Sequence, residues 1–561
     1  MKILAQMVNF FYWVRLPLTP FSVFALEKFL WKNPHTIKSF LVAINPKVLW
    51  ASGEVKLLAL TKEYIPKTPA LEEIASKHFP GQELDSIEKF KKFFPILDKK
   101  NYIAAHSLAE LSFKGILPRA GSFYTSAGTT GKPSVWVESV EEELFFDKAV
   151  AFLADIMLNV RHKEYIVLNC WALGSWPTGI NFFTSMRHLA KVANLGTDLN
   201  GAVETLELMG PSYHYFLAAY PEFAYHFVEE CERRGIDLKK FSIDVVTGGG
   251  GFVEEWRDDL IKRLGRASII FSVYGSTDKG LGEGVETNFA YALRSLLYIA
   301  SICATDSMGK GNDIMRHRFG EVPLPFATPK AAEEFFLEFL RKEDLERIPM
   351  VFQFNPMNVY TENRAEEGRE SGREFISTVL SPITPLPRFR YNIHDEGFML
   401  PYEKIVTTLR RHAIEISTFN SRGDHFFDLH LPFLFVFGRS DGVVSIDGAK
   451  IFPEDVARCL YTGEKIFASV NSFQLAISKD YRLQISLELK EGIALDKRNS
   501  KKYREYFLTE LPKFSLGYQE ISNERLPSAE LVLETHPFGT GPFSIKSIKS
   551  HYLDYRSVSA A

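Results

Sequence analysis

The chain has 561 residues, 46% of them hydrophobic, which is enough apolar material for a large buried core and enough length for more than one domain-sized unit. Its 66 basic and 69 acidic residues leave a formal charge of −3, a balance without the electrostatic footprint of a nucleic-acid binder. Four cysteines, Cys170, Cys231, Cys303 and Cys459, lie far apart and form no C-x-x-C pair; the pattern argues against a zinc site or a disulfide framework and predicts reduced, buried thiols in a cytoplasmic protein.

The first stretch, MKILAQMVNFFYWVRLPLTP, is apolar but interrupted by Gln6, Asn9 and Arg15. It is too short to span a bilayer and lacks a small-residue cleavage site. The favoured reading is an aromatic-rich helix packed on the domain, ahead of a peripheral contact with a membrane surface. Residues 1–120 read as helical and irregular, with a proline stop after LDSIEKFKKFF. A loop of small residues and one lysine follows, YTSAGTTGKPSVW, and then a helix over EEELFFDKAVAFLADIML. EYIVLNCWALGSW reads as a buried strand leaving into a loop, and PEFAYHFVEECERRGIDL as a helix with Phe223, Phe227 and Cys231 on one face, ending at Gly235. FSIDVVTGGGG is a strand running into four glycines, followed by a helix and a second β-rich run, ASIIFSVYGSTD. Strand, turn, helix, strand is the rhythm of a parallel α/β sheet. YALRSLLYIASICA, interrupted by Arg294, reads as a core helix. After about residue 438 the pattern changes to a hairpin in which Leu483, Ile485, Leu487 and Leu489 alternate, then a helix and a short strand: a compact α+β unit.

The loop at 124–134 carries the first chemical signal. Glycines let backbone N–H groups approach an oxyanion, and the hydroxyls and lysine add donors, so it suits a phosphate. It is not a Walker loop, because Ser126 stands where that motif needs glycine and Pro133 where it needs Ser or Thr. Taken in order, YTSAGTTGKP, TGGGGF, VYGSTD, PRFRYNIHDEG and FGRSDGVVSIDGAKIFPEDV resemble the core motifs of the adenylate-forming enzymes: acyl-CoA synthetases, carrier-protein adenylation domains and luciferases. KKFFPILDKKNY, the SAGTTGKP form of the loop and RIPMVFQFNPMNVYTE are similar to the phenylacetate–CoA ligase and coronafacic acid synthetase branch, and the resemblance runs from about residue 85 to the C-terminus.

That resemblance implies an α/β fold with two domains. The larger, N-terminal α/β domain, residues 1–437 with a helical lead-in over 1–120, would have parallel-rich sheets; a smaller mobile α+β domain, 438–561, would be joined to it near Asp441, with ATP in the cleft between. It implies a ligase in which ATP and a carboxylate give an acyl-adenylate and pyrophosphate, after which a thiol, coenzyme A by default, displaces AMP. Ser126, Gly128, Thr129, Thr130, Gly131 and Lys132 would hold the β- and γ-phosphates, with Ala127 where a second serine is common. Tyr274 would stack on adenine beside Gly275 and Ser276, and Thr277 would donate to the α-phosphate. Asp278, in place of the family's glutamate, would help hold Mg²⁺, with Glu283 as a nearby substitute. Gly248 and Gly249 would face the adenine edge, although Gly250 and Gly251 depart from the family pattern. Asp395, an acceptor-only group, would take the ribose hydroxyls, with His394 as a neighbour in place of glycine. Arg439 would contact ribose or phosphate, Asp441 would be the hinge and Gly448 would approach the thiol arm. The closing lysine of the family would be Lys549 or Lys546, with Lys549 preferred, although the usual Gly-Lys pair is missing.

The acyl pocket is expected from 168–220 and 271–300, where NCWALGSWPTGINFF and PSYHYFLAAYP are rich in aromatics and poor in charge, which suits an aryl or fatty monocarboxylic acid. A carrier protein, a protein thiol or an amine would serve the same first half-reaction, and the motif departures keep open a non-catalytic nucleotide- or acyl-binding relative.

Overall fold

The computed structural model describes residues 1–14, 16–32, 36–125, 134–160, 162–174, 177–265, 267–278, 280–345, 347–364, 373–419, 428–439, 444–446, 449–463, 466–478, 482–523 and 529–544. The chain forms two compact units. One comprises 1–249, 263–294 and 351–436; the other comprises 250–262, 295–350 and 437–561. The second unit thus gathers two inner segments with the C-terminal part of the chain.

The first unit opens with four helices, Lys2–Trp13, Pro20–Lys32, Ile37–Leu41 and Pro46–Tyr64. The first is docked by one face: Ala5 is buried, and Leu4, Val8 and Tyr12 pack against the core. Asn9, which breaks the apolar run in sequence, fixes that face, since its amide donates to Ala43 O at 3.0 Å and accepts from Asn45 N at 2.8 Å. Asn45 also caps the fourth helix by accepting from Lys47 N, with Pro46 at the first helical position where no N–H is needed. The second and fourth helices are joined by a buried ion pair: Lys56 Nζ sits 2.5 and 2.6 Å from the Glu27 carboxylate and donates to Met357 O at 3.0 Å.

A hairpin of β1 (Gly121–Thr125) and β2 (Val135–Ser139) then leads into the helix Val140–Leu158, where Ser139 and Glu142 form a reciprocal capping box. Next come β3 (Tyr165–Asn169), β4 (Lys191–Asn194), β5 (His214–Ala219), β6 (Ser242–Gly248), β7 (Ile270–Ser276), β8 (Gly280–Val285) and β9 (Met350–Gln353). The pair β10 (Val359–Asn363) and β11 (Phe375–Val379) precedes β12 (Asp395–Leu400) and β13 (Phe433–Arg439). Nine of these strands form one sheet in the order β12-β13-β9-β8-β7-β6-β5-β3-β4. From β4 to β7 all pairings are parallel, and β8 returns antiparallel. This α/β architecture is the one expected from the sequence rhythm. β3 is buried along its whole length and β5 and β6 along nearly all of theirs, because helices cover both faces of a parallel sheet. The helix Asn288–Thr305 is the expected core helix, and Arg294 does not interrupt it: the guanidinium is buried 3.7 Å from the buried Glu286 carboxylate.

The second unit holds β14 (Val444–Ile446), β15 (Ala449–Ile451), β16 (Val470–Ile477), β17 (Leu483–Leu489) and β18 (Val532–His536). β16 and β17 form the expected antiparallel hairpin, and β18 adds in parallel on the other side of β17. Leu483, Ile485, Leu487 and Leu489 are buried as their alternation predicts. Ser486 and Glu488 on the opposite face are buried too, since β17 is the central strand, and Glu488 accepts from Asn471 Nδ2 at 2.6 Å and Gly539 N at 3.0 Å. In the same unit Arg318 is buried between Glu254 and Asp258, and Arg458 reaches Glu255 at 3.1 Å. The four cysteines are free and buried. No helix among the described residues is long and apolar enough to cross a membrane.

Candidate functional site

The glycine-rich loop is carried by the β1–β2 hairpin. Antiparallel register pairs Thr125 with Val135, so the two ends of the loop are held side by side. The residues that carry its expected chemistry, Ser126, Gly128, Thr129, Thr130, Gly131 and Lys132, lie outside the described residues, as do Asp441, Gly448, Lys546 and Lys549. Arg439 ends β13, and its side chain is not described.

Against the foot of this hairpin the fold of the first unit assembles two other motifs. Trp136, on β2, is buried, and the Arg388 guanidinium lies over its ring at 5.5 Å. Arg388 donates to the backbone carbonyl of Asp278 at 3.3 Å and to Thr384 Oγ1 at 3.2 Å. Tyr391 meets Trp136 edge-on at 6.3 Å and donates to the Asp278 carboxylate at 3.4 Å. The VYGSTD turn, the PRFRYNIHD segment and the hairpin thus share one polar cluster, although over a hundred residues separate the first two. Two donors in it, Arg388 Nε–H and the Trp136 indole N–H, are buried with no hydrogen-bond acceptor among the described residues.

Tyr274, on β7, and Asp395, which opens β12, are brought into contact: the phenol donates to the carboxylate at 2.5 Å. The Tyr274 ring is held between Phe352 at 5.5 Å and Phe375 at 6.0 Å. Gly275 and Ser276 complete β7, and Thr277 and Asp278 form the turn after it. Gly397, two residues past Asp395, lets β12 pass the Phe435 carbonyl and the Phe375 ring where a Cβ would collide. His394 has φ +63°, a left-handed backbone that accounts for glycine being common at that position; its ring nitrogens lie 3.6–3.7 Å from Glu374 and Asp98.

Gly248 ends β6 and Gly249 follows it. A Cβ on Gly248 would press on the Val273 side chain at 3.0 Å, and Gly249 turns with φ +75°. Strand packing and turn geometry therefore account for this pair of glycines without a ligand. Much of the aromatic content expected to line an acyl pocket is likewise core: Tyr215, Phe216 and Phe271 are buried in the sheet. Trp171, just beyond β3, is buried against Phe182 with an indole N–H that has no acceptor among the described residues.

The cluster also contains carboxylates that sequence reading passed over. Glu138 accepts from Asn181 at 3.1 Å, and Asn181 in turn accepts from the Tyr124 phenol at 2.7 Å. Burial raises the Glu138 carboxyl above its usual range and raises Glu142 to about 7, against the opposing pull of Arg388. Arg388 itself was missed, and its signal was an arginine set among Leu386, Pro387 and Phe389, where a cation has no reason to stand unless it has a partner. No group of three or more His, Cys, Asp or Glu side chains with metal-site geometry occurs among the described residues. The Asp278 carboxylate, which accepts from Tyr391, is a single oxygen donor of the kind magnesium takes alongside phosphate and water.

The structure is similar to that of 2-hydroxyisobutyryl-CoA ligase in its postadenylation state with 2-HIB-AMP, with a TM-score of 0.57, 12% identity and 91% of each chain covered. The chain has the fold of the adenylate-forming enzymes. A second neighbour, GH3.15 acyl acid amido synthetase, matches with a TM-score of 0.51 and 12% identity over 90% of this chain and 89% of the other. No protein-family model and no curated protein matches the sequence. At this identity the shared property is the adenylate-forming fold.

Proposed function

We propose that this protein is an ATP-dependent carboxylic acid ligase that makes an acyl-adenylate and passes the acyl group to a thiol, coenzyme A first among them. The observation that carries the reading is the pair of buried, acceptor-less donors on Arg388 and Trp136 at the foot of the glycine-rich hairpin, next to Asp278. Phosphate oxygens are the acceptors that such donors lack.

In the first half-reaction a carboxylate oxygen attacks the α-phosphorus, and the bond from that phosphorus to the α,β-bridging oxygen breaks with its electron pair leaving on pyrophosphate. Two anions must meet, so fixed donors and cations have to take up the charge, each contributing ~3–4 kcal/mol. Ser126, Gly128, Thr129, Thr130, Gly131 and Lys132 would bind the β- and γ-phosphates, Thr277 the α-phosphate, and Asp278 the magnesium ion, whose role is to neutralise phosphate charge. Tyr274, Gly275 and Ser276 would frame the adenine, with Gly248 and Gly249 at its edge. Asp395 would accept the ribose hydroxyls in place of the Tyr274 phenol, and Arg439 would contact ribose or phosphate. Lys549, or Lys546, would supply the adenylation cation, with Asp441 as hinge. In the second half-reaction the thiol sulfur attacks the acyl carbon, the acyl–oxygen bond breaks, AMP leaves and the thiol proton passes to solvent. A 2-hydroxy-acid CoA ligase and an acyl acid amido synthetase share the fold, so an amine is the alternative acceptor. The aryl or fatty acid rests on the apolar surroundings of Trp171.

The test is acid-dependent exchange of labelled pyrophosphate into ATP with pools of aryl and fatty acids, run on wild type and on Asp395→Ala, Arg388→Met, Lys132→Ala, Lys549→Ala and Lys546→Ala. The expected result is exchange with one pool, cut about a hundredfold or more when a phosphate-binding cation is removed. ATP binding without exchange in any pool would replace this reading with a non-catalytic nucleotide binder, to which the departures at Ala127 and Asp278 already lean.

A further inference from the structure

The outer face of the N-terminal helices is apolar and aromatic. On Lys2–Trp13 the side chains at Ile3, Met7 and Phe10 follow a helical stripe away from the buried one, and Phe10 is 57% and Trp13 78% exposed. Their rings lie 6.4 Å apart. On Pro20–Lys32, Phe21 is 84% exposed, and it shares a stripe at helical spacing with Lys28 and Lys32. A fold that gives Asn9 two hydrogen bonds to seat the inner face has left these large rings in water on the outer one.

Charge selects what covers them. Residues 1–47 hold six basic side chains, Lys2, Arg15, Lys28, Lys32, Lys38 and Lys47, and one acid, Glu27, which is buried against Lys56. This stretch is therefore +5 in a chain of −3, leaving −8 for the rest. Lys2, Lys28, Lys32 and Lys47 are exposed and form no ion pair among the described residues. A second copy seated on this face through a two-fold axis would set +5 against +5. Exposed Trp and Phe beside unpaired lysines is instead the pattern of a helix lying in the headgroup region of an anionic bilayer. A helix of 12 residues is about 18 Å long, too short to cross, so it would lie flat.

We infer that the outer face of the N-terminal helices docks the protein on an anionic phospholipid surface. The rings enter the headgroup boundary and the lysines face lipid phosphates. The contact is independent of the catalytic reading, and for a ligase of apolar acids it would put the enzyme where such acids partition.

The experiment is flotation of the full chain with vesicles of phosphatidylcholine alone and of phosphatidylcholine with about one-third phosphatidylglycerol, at about 0.05 M and 0.5 M salt. The expected result is binding to the anionic vesicles only, weakened by salt. Phe10→Ser with Trp13→Ser, and Lys28→Glu with Lys32→Glu, should each weaken it about tenfold or more. Leu208→Ser, at another exposed apolar residue of the same unit, should leave it unchanged. All five changed side chains are on the surface, so the thermal midpoints should match wild type, which a thermal scan checks. The proposal is overturned by no binding to either vesicle, by equal binding to neutral lipid, or by binding that survives the Phe10/Trp13 change. Concentration-dependent self-association abolished by that same change, with no lipid binding, overturns it in favour of a second copy.

Discussion

Asp395 and Tyr274 face each other at 2.5 Å, so a ribose that claims the carboxylate must first displace a phenol. The two side chains then have opposite effects on nucleotide binding. On the proposed reading Asp395→Ala would remove the acceptor of the two ribose hydroxyls and should weaken AMP by about thirtyfold or more. Tyr274→Phe keeps the ring between Phe352 and Phe375, removes only the competing donor, and should leave AMP affinity unchanged or slightly higher. Calorimetric titration of the two variants checks this, and 2′-deoxy-AMP should lose affinity on wild type but not on Asp395→Ala. A second residue-scale effect sits at Asp455 in the second unit, where burial raises the carboxyl to about 7 despite a hydrogen bond from Phe452 N. A carboxyl whose folded-state pKa lies above its unfolded value of 3.8 contributes full stability only below that value. Stability is lost as pH rises from about 4 to about 7, at up to ~1.4 kcal/mol per unit, and is flat above. Asp455→Asn should remove that loss, so urea midpoints of the variant and wild type should converge near pH 4 and separate by pH 8, with the variant higher. Parallel curves across that range would show that Asp455 does not titrate there.

The elements were largely legible, because each follows from local chemistry: the capping box of Ser139 and Glu142, the strand run before Gly248, and the alternating leucines of β17. What local chemistry omits is the partner. Asn9 and Arg294 look like interruptions of apolar runs, and each is a polar side chain satisfied by residues that sequence spacing cannot place beside it. The burial of Glu488 could not be read either, since it depends on β18 arriving some forty residues later to cover the other side of β17. The same logic applies to the packing of Pro20–Lys32 on Pro46–Tyr64, which turns on Lys56 and Glu27, both buried. Burial lowers the lysine's pKa, and the carboxylate opposes that shift. Lys56→Met should destabilise by about 3–5 kcal/mol because Glu27 is left charged and alone, while Lys56→Met with Glu27→Leu should recover most of the loss. Chemical unfolding of the single and double variants measures both; a double variant as unstable as the single one would mean that shape at this contact matters more than charge.

At the scale of the whole molecule, sequence order placed the motifs along the chain but not the residues that join them in space. Arg388 and Trp136 emerge only when the hairpin, the β7 turn and the segment before β12 converge. Residues 250–262 and 295–350 join the second unit through tertiary packing that no local pattern announces. Each unit nevertheless has its own apolar core. Val444, Ile451, Val456, Leu475, Ile485, Leu487 and Phe507 form one whose buried members all lie between 444 and 531, whereas Val167, Phe216, Val246 and Phe271 belong to another. A cavity cut into one core should therefore be felt mainly by the strands around it. Ile485→Ala, at a side chain with no exposed surface, should cost about 2–5 kcal/mol through lost burial and the residual cavity. In hydrogen exchange followed by mass spectrometry, amides of β16, β17 and β18 should then exchange about thirtyfold faster or more, provided they open by unfolding of that unit. Those of β5 and β6 should keep their wild-type rates. Equal acceleration in both sets would mean that the two cores open as a single cooperative unit.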